Sequence, residues 1–271
     1  MNLHNSLWIR RLLDSGRDSA KPFQVSWISK SDLVCREDRL VLQIATIDGP
    51  AGCGKSSVAR LLAARIGGRM FSSGRLYRGI TWLALEHRVA LPDRQRVGEL
   101  IENHRLEIVA SSDSFRVEVD GFDPGDVLDS TRVTGEIHHI SNDPAVRSAV
   151  LPLQRNLPAD LPVFAEGRDM GTVVFPDAPV KIFLTASVEE RARRRQVELS
   201  DRLSEDLPLE VVQEQVARRD ALDEEREVSP LMAAPDAVTV DTTLLDLEEV
   251  LSAIMKRIPR SWNRGPTGST S

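Results

Sequence analysis

From Gly49 to Ser56 the chain reads Gly-Pro-Ala-Gly-Cys-Gly-Lys-Ser, which puts two glycines, a lysine and a hydroxyl at the spacing G-x-x-x-x-G-K-[ST]. Each of these residue types has a task at a triphosphate. Gly49, Gly52 and Gly54 let the backbone bend around phosphate oxygens and turn its N–H groups inward, with Pro50, Ala51 and Cys53 between them. Lys55 can bridge the outer phosphates, and the Ser56 hydroxyl can join the shell of a Mg²⁺ ion. Ser57 leads on into a helix, whose N-terminus favours anions. The spacing predicts an ATP site over residues 49–57 with Ser56 as the metal-facing hydroxyl. An ordinary glycine-rich strand-to-helix turn is the plainer alternative.

Further groups of residues could handle phosphate: Glu166-Gly167-Arg168-Asp169 at the end of an apolar run, Glu190-Arg191-Ala192-Arg193-Arg194-Arg195 at the opening of a helix, and Arg218, Arg219 and Arg226 after the next one. Arginine grips phosphate with two parallel hydrogen bonds, so these clusters are candidate anion sites. Several polar residues have simpler readings. Ser73 suits the N-cap of a helix beginning near Arg75. Tyr77, the single tyrosine, could be core. Arg193 could pair with neighbouring glutamates on a surface, and Asp223 with Arg226 at helical spacing. Cys53 is read as a small loop-filling residue rather than a redox switch. None of the five histidines lies in these motifs, and His138 and His139 are taken as structural.

The elements that must position these groups alternate strand and helix. Val41 to Ile47, Leu161 to Ala165, Val180 to Leu184 and Ala237 to Val240 are short apolar runs. Ser57 to Ile66 carries an apolar stripe at helical spacing, and both Ser187-x-x-Glu190 and Asp246-x-x-Glu249 have capping-box spacing. The pattern implies α/β architecture: a parallel sheet with crossover helices and ligands at the carboxyl ends of the strands. Residues 105–122 instead alternate as a solvent-facing antiparallel hairpin, which suggests a small inserted domain over 90–160. Residues 1–40 read as a poorly ordered extension with one short amphipathic helix near Leu7 to Leu13, and 259–271 as a flexible tail.

At 271 residues the chain has room for one large domain or a core with an insert. Net charge is −6, which argues against a general nucleic-acid surface. No apolar run approaches the ~20 residues that span a bilayer. Two cysteines, Cys35 and Cys53, make no disulfide framework, so a cytoplasmic setting is expected.

Taken together, the motifs resemble the bacterial cytidylate kinases of the nucleoside monophosphate kinase superfamily, from about Val41 to about Arg257. The specific stretches are Ser73-Gly74-x-x-Tyr77-Arg78, Arg219-Asp220-x-x-Asp223-x-x-Arg226 and, longest, Glu166-Gly167-Arg168-Asp169-Met170-Gly171-Thr172-Val173-Val174-Phe175-Pro176. The resemblance implies a three-layer P-loop core over 41–89 and 161–258, an insert holding the monophosphate, and a helical arginine-rich lid over about 191–228. It implies direct, in-line transfer of a phosphoryl group from ATP to CMP, and to dCMP, with Mg²⁺ and no covalent intermediate. Lys55, Arg168, Arg191, Arg194, Arg195 and Arg219 would serve transfer. Ser73, Tyr77, Arg78, Arg132, Ser141, Arg147, Arg168, Asp169, Arg219, Asp223 and Arg226 would hold CMP, with Asp169 toward the cytosine amine and Asp223 toward the ribose. The protein is expected to act as a monomer, without nucleic acid or membrane.

Three positions depart from the family pattern: Ser72 replaces an aspartate, Leu222 an arginine, and the segment from Ser141 to Arg147 is shorter. Two other functions follow from these departures. One is a kinase for another acceptor, UMP or a small metabolite. The other is a nucleotide-sensing module without turnover, docking through residues 1–40.

Overall fold

The computed structural model describes residues 43–203 and 207–263. Both the extension expected over 1–40, with its short helix, and residues 264–271 lie outside the described residues. A central sheet contains β1 (Ile44–Asp48), β2 (Arg69–Ser72), β5 (Val163–Gly167), β6 (Val180–Thr185) and β7 (Val238–Asp241), in the order β2-β5-β1-β6-β7. All four pairings are parallel. A separate antiparallel pair joins β3 (Leu106–Ala110) to β4 (Phe115–Val119). This is the α/β architecture with a parallel sheet that the alternating pattern predicts, and it is consistent with the P-loop kinase fold that the resemblance implies.

β1 is buried along its whole length because the sheet is covered on both faces, hence its unbroken apolar character. The helix α1 (Lys55–Ile66) covers one face together with α8 (Leu247–Met255). Ile47, Leu62, Ile66, Ile182, Leu251 and Ile254 meet in that layer. α8 starts with a complete capping box: Glu249 N–H donates to Asp246 Oδ1 at 2.8 Å, and Asp246 N–H to Glu249 Oε2 at 2.9 Å. Trp262, in a short 3₁₀ turn over Arg260–Trp262, packs into the same cluster. The expected tail is therefore corrected over its first residues, where a buried indole anchors the chain.

β2 was not legible as a strand, being four residues of mixed character at the sheet edge. It leads into α2 (Ser73–Glu86), which starts two residues earlier than expected. Ser73 is thus the first helical residue and not the cap. Ser72 occupies the cap position, and its hydroxyl donates to the Glu166 carboxylate instead of to the helix amides.

α2 is the spine of a second cluster that takes in α3 (Arg94–Asn103), the hairpin, α4 (Thr131–Ser141) and α5 (Pro144–Arg155). The hairpin is solvent-facing on one side only: Phe115, Val117 and Val119 are buried. Its turn docks on the edge of the main sheet, where Met70 N–H donates to Asp113 O at 2.9 Å, covering part of the edge strand. Beyond β6, α6 (Val188–Leu203) and α7 (Leu209–Glu224) form a helix pair with a small apolar seam of Ala192, Leu199, Val212 and Val216. Ser187 caps α6 by accepting from Glu190 N–H at 3.2 Å. The Glu190 side chain turns to Arg193 and Arg194, so only half of that capping box forms.

Candidate active site

The phosphate loop joins the carboxyl end of β1 to α1, as its spacing predicts. Gly49, Gly52 and Gly54 all have positive φ. At Gly52 a Cβ would also lie 2.8 Å from Arg191 O, so only glycine fits there. Lys55 is buried and folds back over the loop, donating to Pro50 O at 2.6 Å with Cys53 Sγ at 3.7 Å. Burial pushes the Lys55 ammonium below its ordinary pKa, and the Arg168 guanidinium pushes it further. Ser56 and Ser57 are exposed at the helix N-terminus, where the first amides have no intrahelical acceptor.

Opposite the loop, the turn after β5 presents Arg168 and Asp169, followed by one π-type turn over Met170–Val174. Arg168 Nε donates to Asp223 Oδ2 at 2.7 Å. Asp223 also takes a hydrogen bond from Arg226 and faces Arg219 Nε at 3.5 Å. Burial would raise the pKa of Asp223, but the three guanidinium groups outweigh it and hold the carboxyl below its usual range. The i, i+3 pair of Asp223 with Arg226 is therefore real, and it belongs to a larger hub. Both carboxylate oxygens are engaged by arginine, which is a departure from a carboxylate standing free for a ribose.

A second knot surrounds the polar end of α4. Arg147 donates to Ser141 O at 3.0 Å and to the Asp169 carboxylate, and its guanidinium lies 5.5 Å from the centre of the Tyr77 ring. Burial pushes the Tyr77 phenol up to about 12. Arg226 ties the two knots together by donating to Asn142 Oδ1 at 2.6 Å. Ser73 Oγ lies against Gly167, where a Cβ would approach it to 2.6 Å. Arg78 pairs with Asp129 at 3.3 Å. Its charge is disfavoured by burial and, more weakly, by Arg75 and Arg195.

Four buried polar atoms in these knots have no hydrogen-bond partner: Arg78 Nε, Ser141 Oγ, Arg147 Nε and Arg219 Nε. An unsatisfied buried donor costs about 1–3 kcal/mol. Lys55, Arg78 and Arg219 all have lowered pKa values, and nearby guanidinium groups contribute in each case. Mutually repelling, partly desolvated cations with unused donors make a site that a polyanion would relieve.

The structure therefore brings together Lys55, Ser73, Tyr77, Arg78, Ser141, Arg147, Arg168, Asp169, Arg219, Asp223 and Arg226 with the loop residues. Four other expected residues are held by protein partners. Arg132 is mostly exposed and pairs with Glu86 at 3.1 Å and Leu85 O at 3.1 Å. Arg194 has all three guanidinium nitrogens on protein acceptors: Glu190 at 2.8 Å, Thr242 Oγ1 at 2.9 Å and Thr242 O at 2.7 Å. Arg191 is buried and bonds Ala186 O at 2.9 Å, Ala51 O at 3.2 Å and Asp220 at 2.5 Å, bracing the loop against α6 and α7. Arg191 and Arg194, expected to serve transfer, are thus engaged by protein groups in this structure. Arg195 is half-exposed and pairs with Glu198 at 2.8 Å. Arg193 is a surface partner of Glu190.

Asp48, Asp129 and Asn142 were not expected at the site. Asp48 sat in view, one residue before the loop. Asp129 and Asn142 reach their arginines only through tertiary packing and carried no sequence signal.

The family model for cytidylate kinase matches residues 45–260. The chain is 42% identical over 212 residues to the cytidylate kinase of Geobacillus sp. strain WCH70, covering 78% of this chain and 93% of that protein. It is also 42% identical over 214 residues to the cytidylate kinase of Carboxydothermus hydrogenoformans, covering 79% and 96%. A Synechococcus bifunctional pantoate ligase/cytidylate kinase matches at 41% over 215 residues, which is 78% of this chain and 40% of the larger protein. With the phosphate loop, the β5 turn and the Asp223 hub in place around these matches, the chain belongs to the cytidylate kinase family.

Proposed function

We propose that this protein transfers the γ-phosphoryl group of ATP to CMP, and to dCMP, by direct in-line displacement. The observation that carries the reading is the facing pair of cationic groups, Lys55 on the loop and the Arg168–Arg219–Arg226 set around Asp223. Moving a phosphoryl group between two phosphates is mostly alignment and charge neutralisation, and the acceptor phosphate needs no strong base. Lys55 and the loop amides would hold the donor phosphates. Arg78, Arg168, Arg195 and Arg219 would hold the acceptor and the transferring group. Asp169, Arg147 and Ser141 would meet the cytosine edge, where a carboxylate suits the exocyclic amine donor. Asp223 would preorganise the arginines, with any ribose contact shared among them.

Among the described residues no group of three or more His, Cys, Asp or Glu side chains is arranged to hold a metal by itself. That fits Mg²⁺ carried on triphosphate oxygens and water, with the Ser56 hydroxyl as the protein's ligand. Bound there, the ion would neutralise charge on the outer phosphates. Residues 90–160 would act as the monophosphate-binding insert and about 191–228 as the lid over a core of 41–89 and 161–258. The protein would act as a monomer. No described helix is long and apolar enough to cross a membrane. The scarcity of cysteine would suit a cytoplasmic setting.

The test is an acceptor panel under identical ATP and Mg²⁺. CMP and dCMP should be turned over well above UMP, AMP and GMP. Equal rates for all five would remove the base assignment, and binding without turnover would leave a nucleotide-sensing module.

A further inference from the structure

Asp48 has no part in the scheme above, yet its carboxylate stands between the two halves of the site. It ends β1, directly before Gly49, and is only 4% exposed. Its Oδ1 accepts from Met170 N–H at 2.8 Å and its Oδ2 from Gly171 N–H at 2.7 Å. Those two amides open the turn that immediately follows Arg168 and Asp169. The strands below are already in register, with Asp48 opposite Gly167. Buried acceptors need hydrogen-bond donors in place of lost water, and two backbone N–H groups supply them here.

We propose that Asp48 is a positioning residue for the transfer reaction, its carboxylate fixing the Arg168–Asp169 turn against the strand that launches the phosphate loop. This rests on the kinase reading above. The donor loop leaves β1 from the residue that clamps the acceptor turn, so one side chain sets the spacing between the two phosphate grips. In-line transfer depends on that spacing, since small misplacements of reacting groups are costly in rate. The clamp is tightly fitted: a Cβ on Gly171 would lie 2.9 Å from Thr46 Oγ1 and 3.3 Å from Asp48 Oδ2.

Asp48→Asn keeps the shape but offers one oxygen to two N–H donors and sets an NH₂ against the other. Kinetics are measured on the full chain with whichever acceptor the wild type turns over, so a wrong acceptor assignment does not decide this question. The affinity for a non-hydrolysable ATP analogue is measured alongside. The variant should lose about 10-fold to 100-fold in kcat/KM for the acceptor while the ATP-analogue affinity shifts by less than about threefold. Gly171→Ala displaces the same turn with the carboxylate intact and should give the same split; it decides the matter if Asp48→Asn does not fold. Wild-type acceptor kinetics in a folded variant, or equal losses in analogue affinity and acceptor kcat/KM, would overturn the proposal.

Discussion

Arg168 Nε meets Asp223 Oδ2 at 2.7 Å across 55 residues of sequence, joining the β5 turn to the end of α7. Arg219 and Arg226 face the same carboxylate, which is itself 1% exposed. One acid therefore gathers three cations around a single buried carboxylate. Without it the guanidinium groups would repel one another and lose their fixed directions.

Asp223→Ala should accordingly destabilise the protein by about 3 kcal/mol, the usual cost of leaving buried charges unpaired. Because the surviving cations then lack a counter-ion, sulfate or nucleotide should raise the variant's Tm more than the wild type's. Thermal melts with and without each anion measure both effects. Equal anion-induced shifts in the two proteins would show that Asp223 is not their counter-charge.

How much of this was readable beforehand divides by the range of the interaction. The phosphate loop, the β5 turn and the alternation of strand and helix are local patterns, and local patterns survive in sequence. Side-chain roles within the arginine run did not. Arg191, Arg193, Arg194 and Arg195 look alike in a string, yet rotation about one helix sends them to the loop backbone, to solvent, to Thr242 and toward Arg78. Arg132 was implied only by the resemblance, together with Ser141 and Arg147, while the helix puts it near Glu86. Ser72 shows the same limit: its exchange for an expected acid was visible, but its hydrogen bond to Glu166 depends on β2 pairing beside β5.

Arg194 and Arg195 should separate cleanly. Arg194→Ala removes three hydrogen bonds, two of which pin α6 to the chain after β7, and should cost about 1–3 kcal/mol in stability. Arg195→Ala removes one half-exposed pair and should change Tm little, while lowering kcat about 10-fold or more. Urea titrations and steady-state kinetics on both variants check the contrast. If Arg194→Ala is as stable as wild type but inactive, the packing assignment is wrong.

Lys55→Met should abolish transfer, by at least about 10²-fold, because a donor aimed at the developing charge is lost. The same change should not lower stability. Burial already disfavours the ammonium in the folded protein, and Arg168 disfavours it further, so a shape-matched apolar chain removes an unfavourable charge. A folded variant with near-wild-type turnover would refute the loop assignment.

The last expectation concerns pH and follows from Asp48. Burial pushes its carboxyl from 3.8 up to about 7; Asp169 adds to the rise, while the two amide hydrogen bonds and Lys55 oppose it. A raised folded-state pKa means the folded protein binds a proton that the unfolded chain releases. The contribution is fully present below about pH 4 and is lost as pH rises through about 7. Other groups run the opposite way: Asp223, held low, and His87 and His138, whose burial disfavours the protonated ring, all favour higher pH. The wild-type profile alone is therefore a mixture, and the informative quantity is the difference between wild type and Asp48→Asn. The stability of wild type relative to the variant should fall between pH 5 and 7 by up to about 1.4 kcal/mol per pH unit, the limit for one proton. Urea midpoints for both proteins at pH 5, 6, 7 and 8 give the difference directly. A constant difference across that range would put the Asp48 pKa well below 7 and show that its two amide bonds and Lys55 offset burial.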